Sequence, residues 1–235
     1  LRRQQGERAA RRASLGLSAL KRSREQLRDP LQVLDGVLPD ARALARQGYQ
    51  WLAGTMPSFG NEAPPPPAWI TPASLAEESE EISGRVAELA ERFRAAAEAE
   101  LAEPDPADPE AVQQARLLES VRAALPHLDR GAAAFGDSTT AYKEEKALPA
   151  FESIGEGLTA LAEARELFLD AKRLIELVWQ DENRAIGFLR GDDGAEESIR
   201  REQVPQIAEL HQKNIERLAR LRKFIEEEGA QLAQA

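Results

Sequence analysis

Chemistry would have to start from few residues in this 235-residue chain. It holds two histidines, His127 and His211, and no cysteine. A zinc site needs imidazole or thiolate ligands at short fixed spacings, and neither histidine has a second His at i+4. A di-iron bundle needs inward Glu residues with Glu-x-x-His pairs, and no such pair occurs. Glu80-Glu81 and Glu226-Glu227-Glu228 read as solvated helix faces. Asp192-Asp193 in GDDG lacks the remaining ligands of a calcium loop. No GxGxxG, Walker loop or GxSxG is present. The residues therefore predict a non-enzyme with no catalytic set, no cofactor and no metal. His211 lies on an apolar helical stripe beside Asn214, which reads as a buried polar layer setting helix register.

With chemistry set aside, surface contacts carry the functional expectation. Tyr49, Trp51, Phe59, Pro64, Pro65, Pro66, Pro67 and Trp69 cluster around residues 54–72, and they are the candidate partner contacts. Four consecutive prolines favour polyproline II, which is stiff, extended and free of internal hydrogen bonds. Such a run beside tryptophan either docks in a partner's aromatic groove or serves as a pinned spacer.

The elements that must position these residues read as helices. Charged residues make up 31% and aromatics 5%, and no window is rich in β-branched and aromatic residues together. The expected fold is all-α: an elongated bundle of five to seven long, partly kinked helices in two related halves. Leu17, Leu20, Arg24, Leu27, Leu31, Leu34, Leu38 and Ala41 step by three and four, the heptad spacing that keeps one stripe on a partner helix. Asp29-Pro30 interrupts this seam, but its phase continues, so one kinked helix is expected over 16–53. A second helix starts at Ser74, capped with Glu77, and buries Leu75, Ile82, Val86, Leu89 and Phe93. A third turns inward Leu117, Val121, Leu125 and Leu128. Gly136-Asp137-Ser138 predicts a turn, followed by one helix from about Thr140 to Arg190. The last helix spans 195–232. Prolines 39, 126, 149 and 205 should bend or split their helices.

Residues 16–45 and 157–186 match without a gap, Gly16, Leu17, Asp29 and Asp40 recurring as Gly157, Leu158, Asp170 and Asp181. QIAEL at 206–210 likewise echoes RVAEL at 85–89. The pattern predicts a duplication, with a first half at 1–108 and a second at 109–235.

Net charge is −10, yet residues 1–28 hold nine Lys/Arg against Glu7 and Glu25, a local +7. That basic first helix is the only expected membrane contact; no apolar run is long enough to span a bilayer. Nucleic acid is not an expected partner, since no aromatic-interleaved basic patch follows. The chain opens at Leu1 rather than Met, so a processed or cut chain is expected.

Two segments, FGD followed by ALPAFESIGEGLTALAEARELF (147–168), and SLAEESEEISGRVAELAERF (74–93), resemble repeats of large α-helical bacterial cell-envelope proteins. Some of those are encoded beside MoxR-type ATPases and von Willebrand factor A proteins. The small residues Ala150 and Ala160 also resemble tetratricopeptide-like packing positions, although the full 34-residue pattern is not met. The resemblance implies a scaffold at the bacterial envelope, in an extracytoplasmic setting, and carries over no catalytic residue. The expected function is a non-catalytic scaffold or adaptor for protein–protein interaction. The alternatives are an extracytoplasmic ligand-sensing bundle of a receptor and a membrane-surface protein using the basic first helix.

Overall fold

The structure, a computed structural model, describes residues 29–56, 65–98, 109–190 and 197–234. The basic segment 1–28 lies outside them, and with it the first part of the matched stretch 16–45. The described residues form six α-helices and no strand: α1 (Pro30–Thr55), α2 (Pro72–Ala97), α3 (Pro109–Lys143), α4 (Ala147–Glu166), α5 (Ala171–Arg190) and α6 (Glu197–Gln234). The chain divides into two compact units, Leu1–Phe168 and Leu169–Ala235. The boundary expected at 108/109 instead runs between α2 and α3, which share the most extensive helix contact in the chain.

In the first unit, α1–α4 pack as a ring, each helix on its sequence neighbour and α4 closing on α1. The neighbours run antiparallel. Ser79 Oγ donates to the Phe135 carbonyl and Ser83 Oγ to that of Ala132, so numbers rise along α2 as they fall along α3. The core takes Leu34, Leu38 and Leu44 from α1, Leu75, Val86, Leu89 and Phe93 from α2, Leu128, Phe135 and Tyr142 from α3, and Ile154 and Leu161 from α4. This is the apolar stripe at helical spacing that drives such a bundle. The α2 stripe is buried as expected; on α3, Leu117 points outward and Ala124 takes an inward place.

Helix starts follow cap chemistry. Asp29 accepts from the Leu31 amide at 2.8 Å and Pro30 begins α1, so a helix starts here instead of a kinked one running through. Its counterpart Asp170 accepts from the Arg173 amide at 2.7 Å, one residue ahead of α5. The single helix expected from Thr140 to Arg190 is thus the end of α3, then α4, then α5. For α2 the cap is Thr71, three residues ahead of the expected Ser74. The two form a reciprocal box, with Ser74 as the inner member.

Gly136-Asp137-Ser138 does not turn; α3 runs through it. Thr139 and Thr140 hydroxyls donate back to the carbonyls of Phe135 and Gly136, so both are satisfied without leaving the helix. The reversal comes at Glu144–Lys146, where Glu145 takes a left-handed φ of 57°. Pro39, Pro126 and Pro205 sit inside helices, while Pro149 lies in the first turn of α4.

The second unit is a helical hairpin of α5 on α6. Among the described residues its buried apolar side chains are Leu174, Ala185 and Leu221, matched in number by buried Asp181, Asn214 and Arg217.

Candidate functional site

The expected contact residues start at the end of α1. Tyr49 is half-exposed, with its ring 6.0 Å from that of Phe151. Trp51, two residues on, points the other way. It is only 7% exposed and packs its ring 5.5 Å from Tyr142, so it is spent on the core. Phe59 and Pro64 lie outside the described residues. Pro65 and Pro67 are exposed, and Pro66 rests on Gly54 at the end of α1, where a Cβ would meet the proline ring.

Trp69 is 60% exposed although its backbone is fixed on both sides. The next residue, Ile70, is buried, and its amide donates to the Pro67 carbonyl at 2.9 Å. Ser74 Oγ donates to the Trp69 carbonyl at 3.0 Å. Ser74 also accepts from the Thr71 amide at 3.0 Å, and its own amide donates to Thr71 Oγ1 at 3.1 Å. The capping box of α2 is thus also the clamp that presents Trp69. Of the candidates, the structure leaves Tyr49, Pro65, Pro67 and Trp69 facing solvent and removes Trp51.

A second polar arrangement lies between α5 and α6. Asn214 is buried; its Nδ2 donates to Glu182 Oε1 at 2.7 Å and its Oδ1 accepts from Arg217 at 2.6 Å. The same guanidinium donates to Asp181 Oδ2 at 2.7 Å. His211 Nδ1 lies 3.1 Å from Glu182 Oε1 at the exposed rim. Of the buried polar layer expected at His211 and Asn214, Asn214 is buried and His211 is exposed; Asp181, Glu182 and Arg217 were missed. One sign was available: Asp181 aligns with Asp40 in the match of 157–186 to 16–45, and Asp40 Oδ2 accepts from the buried Arg85 at 2.6 Å. The two arginines, however, do not occupy matched positions. Both networks cross between helices and fix how one helix is set along the other, because sliding would strand a buried charge.

His127 lies 3.2 Å from Glu163, which also pairs with Arg130. Among the described residues no three His, Cys, Asp or Glu side chains are grouped to hold a metal ion, and no helix is long and apolar enough to cross a membrane. Comparison with protein-family models, curated proteins and solved structures finds no match to this chain.

Proposed function

We propose that this chain is a non-catalytic helical scaffold or adaptor that holds a partner protein against the start of α2 and the proline run before it. The observation that supports this most is Trp69. A large indole standing in water costs hydrophobic free energy, about 1.5–3 kcal/mol for a side chain of this class. Its backbone is nevertheless held by Ile70, Pro67 and Ser74. An exposed aromatic whose position is already ordered loses little entropy on binding, which is how binding hot spots gain affinity. Pro65 and Pro67 beside it offer the extended, low-entropy ridge that aromatic-lined grooves accept. The extracytoplasmic, envelope setting of this scaffold rests on the resemblance of residues 74–93 and 147–168 alone.

The test is capture by the full chain followed by mass spectrometry. Trp69→Ala should cut recovery of a specific partner at least tenfold with the circular dichroism spectrum unchanged, and deletion of 57–70 should abolish it. Equal recovery by the parent chain and both variants would remove this surface from consideration.

A further inference from the structure

The hairpin unit carries an apolar face that neither of its own helices covers. On α6, Val204, His211, Leu218 and Ile225 recur every seven residues, and all four are exposed. The alternating set faces α5: Asn214 and Leu221 are buried and Ile207 is partly so. Half of a heptad seam is used and half is open. On α5, Ile175, Trp179, Ile186 and Leu189 are exposed, Trp179 at 67%. They share a helical stripe with Glu182 by their spacing of three and four. The 3.1 Å approach of Glu182 to His211 joins the two stripes, so both lie on one flank of the hairpin.

The pattern on this flank reads the same in both directions. On α5, Ile175 and Trp179 lie before Glu182, and Ile186 and Leu189 after it. On α6, Val204 and Leu218 stand seven residues either side of His211. A two-fold axis through the Glu182–His211 level would lay apolar on apolar and polar on polar, the self-complementarity that an isologous contact requires. Charge does not oppose it: residues 169–235 hold 11 Lys/Arg against 14 Asp/Glu, a net −3 of the chain's −10. With Ile215 alongside, eight large side chains at roughly 100 Å² apiece reach about the 800 Å² per partner of a standard interface. Among the described residues the hairpin buries three apolar side chains of its own, little for a unit of this size to stand without further burial.

We propose that this flank docks a second copy of the chain, antiparallel, closing two hairpins into a four-helix bundle with Glu182 and His211 at its centre. Sedimentation of the full chain from 1 to 200 µM tests this. The expected result is a shift from 25.9 kDa toward twice that mass. Trp179→Glu and Leu218→Glu, both at exposed positions, should each weaken association at least a hundredfold with helicity kept. The chain has no cysteine. A lone His211→Cys should therefore oxidise to a disulfide-linked dimer, whereas a lone Ile225→Cys, away from the axis, should do so far more slowly. A parent chain that stays monomeric at 200 µM overturns the proposal, whether Trp179 is quenched freely by acrylamide or is shielded by its own chain. Association unchanged in both Glu variants, or faster cross-linking at 225 than at 211, overturns it as well.

Discussion

Tyr142 shows how a single buried group ties the core to pH. Its ring packs on Trp51, and its hydroxyl finds no hydrogen-bond partner among the described residues. Burial pushes the phenol well above its ordinary range, and the charge of Glu78 adds to this. The native state therefore keeps the proton that the unfolded chain loses near the ordinary value of 10.0. This stability is intact below about pH 10 and falls as pH rises further, because the unfolded state then binds fewer protons. Tyr142→Phe should reduce that alkaline loss. At neutral pH it should be neutral or stabilising by up to about 1 kcal/mol, since an unpaired buried hydroxyl goes. Urea unfolding of parent and variant at pH 7 and 10.5 measures both effects. Gly157 is a different case. A Cβ there would come 2.8 Å from the ring of the buried Phe135, whereas at Gly155 it would meet nothing within 4 Å. Gly→Ala inside a helix gains about 0.5–1 kcal/mol, but overpacking costs about 1–3. Gly157→Ala should destabilise and Gly155→Ala should stabilise, as read by the midpoint of chemical denaturation.

At the level of the element, caps decide more than periodicity does. Thr71→Ala removes the acceptor for the Ser74 amide and should cost about 1 kcal/mol of stability, with α2 fraying first in amide hydrogen exchange. Helix class, the buried stripe of α2 and the last helix were all legible, because their apolar spacing is long and regular. Helix ends were harder to read. The true α3–α4 reversal, Glu144–Lys146, has neither Gly nor Pro, and it puts Glu145 in a conformation that side chains usually avoid. The attractive Gly136-Asp137-Ser138 is absorbed into α3, whose Phe135, Ala141 and Tyr142 on either side are buried in the core. The α4–α5 break was signalled only by Asp170, the match of Asp29, since no residue around it breaks a helix. At the candidate contact, proline and tryptophan types were legible. Which tryptophan faces inward depended on helix phase against α3, which no local pattern of α1 reveals.

On the scale of the molecule, each unit solves burial in its own way. The first closes a ring of four helices around a largely apolar interior, with Arg85 its one buried charged residue among the described ones. The second fixes two helices with Asp181, Asn214 and Arg217 and, among the described residues, leaves eight large apolar side chains exposed. Buried ion pairs add little net stability but penalise wrong registers, so the hairpin is better specified than it is held. One contact in the first unit bears on how that fold can be used. Arg165 Nε, near the end of α4, donates to Asp35 Oδ1, near the start of α1, at 2.6 Å. Backbone enters and leaves the ring side by side, so the bundle is wired like a plug with both leads at one end. It could be threaded into a host polypeptide at a single surface bend, or re-joined head to tail and opened at Glu144–Lys146, with every core neighbour kept.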